Sequence, residues 1–108
     1  MNWLVYMTTQ SREEALELAR LLTAQKLCAG INIVPGAYSV YWWQGSLREK
    51  EECLLFAQVS DGQREKFIAA ASEAHPYITP CIVCLPIGAG HGPFLEWIEK
   101  NGQDTRCI

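Results

Sequence analysis

Two cysteines spaced as Cys81-x-x-Cys84 and two histidines, His75 and His91, are the side chains whose types could hold a soft metal or exchange electrons. A C-x-x-C pair chelates zinc or runs disulfide chemistry when both sulfurs face one way, as on a loop or a helix start. Here the pair sits inside the apolar run 80–87 (PCIVCLPI), which predicts a strand, and residues three apart on a strand point to opposite faces. The sulfurs are therefore expected to diverge, with no Cys81–Cys84 disulfide. His75 precedes Pro76 at an expected helix end and His91 lies in a glycine loop. No His-x-x-x-His, Glu-x-x-His or dense carboxylate set joins them. Either imidazole could take copper or zinc weakly, so no cofactor is obligatory. The plainer expectation for both is an exposed histidine at a loop or helix end.

The remaining cysteines, Cys28, Cys53 and Cys107, bring the number to five, odd and spread over the chain. That is not the framework of a disulfide scaffold, and reduced thiols packed as small hydrophobes in a cytoplasm are the simpler expectation. The 108 residues suit one domain spanning 1–108. Nine Lys and Arg against twelve Asp and Glu give a net charge of −3, the wrong sign for a protein that lives on phosphate contacts. No apolar run is long enough to span a bilayer and the N-terminus lacks the pattern of a secretory signal, so neither nucleic acid nor membrane is an expected partner.

The elements that must position these residues follow from periodicity. Residues 2–8 (NWLVYMT) predict a central strand buried on both faces. Ser11 and Glu14 form a capping box ahead of a helix with Ala15, Leu18, Ala19 and Leu22 on one face, ending near Lys26. Residues 28–34 and 37–43 predict one long strand kinked at Pro35-Gly36, turning at Gln44-Gly45-Ser46 into a returning strand over 52–59. Ser60 with Gln63 predicts a second cap, before a helix burying Phe67, Ile68, Ala71 and Ala74 and closing at His75-Pro76. The strand over 80–87, bracketed by prolines, belongs at an edge. Pro93 opens a last helix carrying Phe94, Leu95, Trp97 and Ile98, stopped at Asn101-Gly102. The order β-α-β-β-α-β plus a helix predicts an α+β, ferredoxin-like fold with both main helices on one face of a four-stranded antiparallel sheet, strand order 4-1-3-2.

The long hairpin carries Tyr38, Val40, Tyr41, Trp42 and Trp43 beyond the reach of those helices. Uncovered aromatics on a long strand predict burial by another copy of the chain, in a symmetric homo-oligomer. Enzyme signatures are missing: no Gly-x-Ser-x-Gly, no Walker-type loop and, after the first strand, no Arg and Asn anion cradle of the acylphosphatase kind.

Five segments in order, 27–36 (LCAGINIVPG), 39–45 (SVYWWQG), Glu52 with its strand, His75-Pro76-Tyr77 with Pro80, and 85–87 (LPI) with 94–98 (FLEWI), resemble the CutA divalent-cation tolerance proteins. The resemblance implies a homotrimer of ferredoxin-like subunits, similar in architecture to PII signalling proteins and associated with tolerance of divalent ions such as copper, without catalysis. It also leaves room for a second function, a PII-like sensor or scaffold that takes a small organic ligand or a protein partner between subunits. Asn32, Tyr41, Trp43, Glu52, His75, Tyr77 and Trp97 match family positions and, with Gln58, are expected at clefts between subunits. The chain departs from the family pattern at Gly30, where the family usually has Cys; at Gln58-Val59, where it has Lys-Thr; at Ile78 and Cys81, usually acidic; and at Phe94, usually Tyr. The joint loss of a Lys at Gln58 and an acid at Cys81 suggests one polar network, running between subunits because the two strands are not neighbours.

Overall fold

The structure, a computed structural model, describes residues 1–102. Residues 103–108, to which the sequence assigns no element, lie outside the described residues, and Cys107 with them. The chain runs β1 (Asn2–Thr9), α1 (Arg12–Ala24), β2 (Gly30–Trp43), β3 (Ser46–Ser60), α2 (Arg64–Ala74), β4 (Ile82–Ile87) and α3 (Gly92–Asn101). The sheet order is β2-β3-β1-β4, with every neighbouring pair antiparallel, so the ferredoxin-like arrangement holds and β4 is an edge.

Helices α1 and α2 cover one face. Val5 and Met7 of β1 and Leu55, Ala57 and Val59 of β3 pack there against Ala15, Leu18, Leu22, Phe67 and Ala71. Cys28 and Cys53 are buried in the same cluster, where they act as small hydrophobes. The alternate residues Leu4 and Tyr6 point to the other face and are only half-buried. Within one chain, then, β1 is fully covered on one side only, because α1 and α2 both pack on that side.

Local chemistry explains the boundaries. Ser11 Oγ accepts the Glu14 N–H at 3.2 Å, and Glu14 in return accepts the N–H of Gln10 rather than that of Ser11. Between Val34 and Ala37 the β2 register slips by one residue against β3, with Gly36 at φ 87°, so the expected kink is a β-bulge. Gln44 and Gly45 both have positive φ (50° and 77°), the signature of a two-residue hairpin turn matched to strand twist.

Four expectations need correction. The strand expected at 52–59 begins at Ser46, because the charged stretch 46–51 pairs residue for residue with the aromatic end of β2. The second cap does not form: Ser60 Oγ donates to the Gly102 carbonyl, Gln63 donates to the Lys26 carbonyl, and a 3-10 turn over Asp61–Gln63 precedes α2. Ala74 faces solvent, since α2 buries only Phe67 and Ala71 fully. The strand expected at 80–87 starts at Ile82, so Cys81 lies before it.

Helix α3 lies on the face opposite α1 and α2. Ile98 is buried there, outside the main cluster, while Asn2 Nδ2 donates to the Leu95 carbonyl at 3.2 Å and Ser60 holds the Gly102 end.

Candidate functional site

The outer half of the hairpin has two unlike faces, set by strand alternation beyond the bulge. Tyr38, Val40 and Trp42 are 65%, 59% and 71% exposed on one face. Ser39, Tyr41 and Trp43 share the other with their cross-strand partners Lys50, Arg48 and Ser46. This second face, the later half of β1 and the loop that follows α2 together line a cleft of about 750 Å³. Its walls include Tyr6 and Thr8 of β1, Tyr41, Trp43, Arg48, Lys50 and Glu52 of the hairpin, and Tyr77 and Cys81 of the loop.

A chain of hydrogen bonds runs along one side. The Tyr77 hydroxyl donates to Glu52 Oε2 at 2.9 Å and accepts from Lys50 Nζ at 2.9 Å, while Lys50 and Glu52 stand 3.9 Å apart. Lys50 also lies over the rings of Tyr77 (4.2 Å) and Tyr41 (5.6 Å). His75 holds Tyr77 from behind: its Nε2 donates to the Thr8 carbonyl at 2.6 Å and its Nδ1 accepts the Tyr77 N–H at 3.1 Å, which fixes the neutral Nε2–H tautomer. Burial pushes the Tyr6 phenol up, helped by Cys81 and Glu52 nearby. The Tyr77 phenol is raised by burial and by its bond to Glu52, against the pull of Lys50. Burial and the charge of Glu52 raise the Cys81 thiol. For Lys50, burial lowers the pKa, but its bond to Tyr77 and the charge of Glu52 outweigh that and raise it. The arrangement can bind and orient a molecule.

Within one chain the residues expected at the clefts between subunits fall into two groups. Tyr41, Trp43, Glu52 and Tyr77 meet in the cleft just described, with His75 behind them, and the cleft is built within one chain. Asn32, Gln58 and Trp97 form a separate cluster: Gln58 Nε2 donates to Asn32 Oδ1 at 2.9 Å, and a Cβ on Gly30 would come within 3.3 Å of Gln58 and 3.4 Å of Trp97. Gln58 lies six positions along β3 from Glu52, roughly 20 Å of strand. Gln58 and Cys81 likewise belong to different clusters, so no network joins them inside the chain.

The expected exposed histidine is corrected at His75, which is only 6% exposed and has both nitrogens bonded within the chain. His91 is exposed at the N-terminus of α3, where its carbonyl accepts from Phe94 and Leu95. The two histidines sit at opposite ends of β1, near Thr8 and Asn2 respectively, and cannot share an ion. Among the described residues no three His, Cys, Asp or Glu side chains gather in a metal-binding group, so the donors present do not fit a tight divalent site. Cys81 and Cys84 are both free: Cys84 packs against the helix-side core from β4, whereas Cys81 lines the cleft on the other face.

Sequence reasoning missed Arg48, Lys50, Tyr6, Thr8 and Cys81 as cleft residues. The signal for Lys50 and Arg48 was present, since they lie two and four residues before Glu52 and share its face once the strand is extended. Tyr6 and Cys81 carried no such signal, because only the sheet order brings them beside Glu52.

The family described as CutA1 divalent ion tolerance protein matches residues 3–101. The divalent-cation tolerance protein CutA of Thermus thermophilus is 38% identical over 101 residues, covering 94% of this chain and 98% of that one. Its solved counterpart, a divalent cation tolerance protein from the same organism, superposes with a TM-score of 0.90 at 38% identity over 94% of this chain and 98% of the other. A chloroplastic CutA protein of Arabidopsis thaliana is 35% identical over 93% of this chain, which spans 55% of that plant protein.

Proposed function

Because the chain belongs to the CutA1 divalent ion tolerance family, matching it over residues 3–101, we propose that it serves divalent-cation tolerance, copper included, as a non-catalytic homotrimer with any ion held weakly. The observation that supports assembly is the sheet face away from α1 and α2. Val34, Val83 and Leu85 are exposed there, as are Phe94 and Trp97 of α3 on the same side, and Tyr41 and Trp43 of the hairpin continue that face outward. An apolar face of that extent on a single chain calls for a partner, and copies of the same chain supply one by symmetry. Weak ion binding follows from the scattered donor set. Cytoplasmic residence is the reading of the thiols, since all four described cysteines are free. No described helix is long and apolar enough to cross a membrane.

Light scattering tests the assembly directly, with three times the chain mass expected; a monomer mass at micromolar concentration would overturn it. Calorimetric titration with Cu²⁺ and with Zn²⁺ should show only weak binding, and a stoichiometric site tighter than micromolar would reject the proposed mode of action. A second reading has its own support: the 750 Å³ cleft is large enough for a small organic molecule. On this reading the protein is a sensor or scaffold whose ligand sits against Tyr41, Trp43 and Tyr77.

A further inference from the structure

The helix side of the molecule lies opposite the sheet face assigned above to contact between copies, and it carries a groove of its own. About 330 Å³ in volume, this groove runs between α1 and the end of α2 and is lined by Glu14, Glu17, Leu18, Leu21, Ala74 and Pro76. The four α1 residues stand at helical intervals of three and four, so they form one stripe about 10 Å long. Leu21 is the one leucine of α1 left exposed, at 41%, and Ala74 and Pro76 face solvent with it. Glu17 is exposed and Glu14 half-buried, and neither joins an ion pair among the described residues. The end of α2 adds to the same charge sense. The His75 N–H meets the Ala71 carbonyl, the carbonyls after it form the negative end of the helix, and the last turn carries Glu73 but no basic residue.

From this geometry we infer that the groove docks a basic peptide segment of a partner protein, one that presents an arginine or lysine beside an apolar side chain. The carboxylates occupy the N-terminal part of the α1 stripe and Leu18 and Leu21 the rest, so a cation and an apolar group are wanted side by side. An arginine or lysine lays its methylene stem along the apolar floor while its head reaches Glu17. An anionic partner would meet two carboxylates and the negative end of α2. A divalent ion finds no third donor among the described residues, and Glu14 already accepts the Gln10 N–H. A lone amine would fill the acidic part and leave Leu21 uncovered. A peptide covers both.

The test titrates the full chain, followed by amide NMR, with a capped hexapeptide alternating leucine and arginine, with its counterpart carrying neutral citrulline for arginine, and with spermidine. The expected result is saturable binding of the arginine peptide that shifts the amides of Glu17, Leu21 and Ala74, about tenfold tighter than either the citrulline peptide or spermidine. Glu17→Gln and Leu21→Ser should each weaken the arginine peptide about fivefold; both positions are exposed, so the variants are expected to fold. Glu13→Gln, an equal change of charge on α1 outside the groove, should weaken it less than about twofold. Equal losses in Glu13→Gln and Glu17→Gln would show attraction to the net charge alone and overturn the docking site. Spermidine binding as tightly as the peptide, or citrulline making no difference, would overturn the partner class. Groove shifts that follow protein concentration without peptide would assign the groove to a second copy of the chain, and the proposal would fall.

Discussion

Tyr77 is the residue on which the cleft wall depends, because a single hydroxyl links Lys50 to a nearly buried Glu52. Removing it leaves that carboxylate with Lys50 at 3.9 Å as its remaining partner. Tyr77→Phe should therefore cost about 1–3 kcal/mol in urea unfolding, the penalty for a buried polar group losing its bond. The same substitution made in a Glu52→Gln background should cost less, and strictly additive losses would show that the two side chains do not cooperate. His75 acts one step further back by holding the Tyr77 backbone. His75→Phe fills similar space but leaves the Thr8 carbonyl and the Tyr77 N–H unpaired, so a loss of about 2 kcal/mol or more is expected. Amide exchange at Tyr77 should speed up in that variant, and unchanged protection there would refute the positioning role.

The hairpin is the element that makes the cleft, and its geometry rests on two left-handed positions. Gly36 relieves the bulge at φ 87° and Gly45 completes the turn at φ 77°. A side chain at Gly45 meets no neighbour, so the cost of Gly45→Ala is purely conformational, about 1–2 kcal/mol. Gln44 also has positive φ, and Gln44→Asn should recover a few tenths of a kcal/mol because Asn tolerates that region better. Urea midpoints of the two single variants check both signs. On the helix side, Ser11→Ala removes the acceptor for the Glu14 N–H and should cost about 1 kcal/mol.

At the scale of the whole molecule, the titrating groups set a direction of pH dependence. Burial raises the thiols of Cys28, Cys53, Cys81 and Cys84 and the phenols of Tyr6 and Tyr77. Lys50 is raised as well, its partners outweighing its burial. For an acid favoured in its neutral form, the folded chain keeps its proton to higher pH than the unfolded chain, so stability falls as pH rises through that interval. A lysine favoured in its charged form has the same sign: its contribution is complete below the unfolded value and lost through the folded one. Thermal stability should therefore decline from about pH 9, the ordinary thiol value, upward. A melting temperature that stays level into strongly alkaline solution would contradict these environments. The exposed sheet face belongs to this scale too. Leu85→Asp, at an exposed position of the edge strand, should lower the mass seen by light scattering while leaving the helix-side core intact.

The order of elements, the bulge at Pro35-Gly36 and the inward faces of the helices were legible in the sequence, because each depends on neighbours close along the chain, and the strand order followed from the right-handed crossovers that this order of elements requires. Periodicity put Leu18, Leu22, Phe67 and Ala71 inward, and Ser11 with Glu14 marked a helix start, by interactions that span one turn. The five segments resembling CutA proteins carried the family for the same reason, as runs of residues in fixed order. Tertiary structure alone decided that Ser60 caps the end of α3 instead of starting α2, since its partner Gly102 lies forty-two residues away. It alone placed Asn32, Gln58 and Trp97 at one end of the sheet face within the chain and Tyr41, Glu52 and Tyr77 at the other. And it alone made His75 an internal brace, because the Thr8 carbonyl that takes its proton is brought there by β1, sixty-seven residues earlier in the chain. Side-chain type and local spacing report which face a residue occupies; which distant residue shares that face is fixed only when the strands pair.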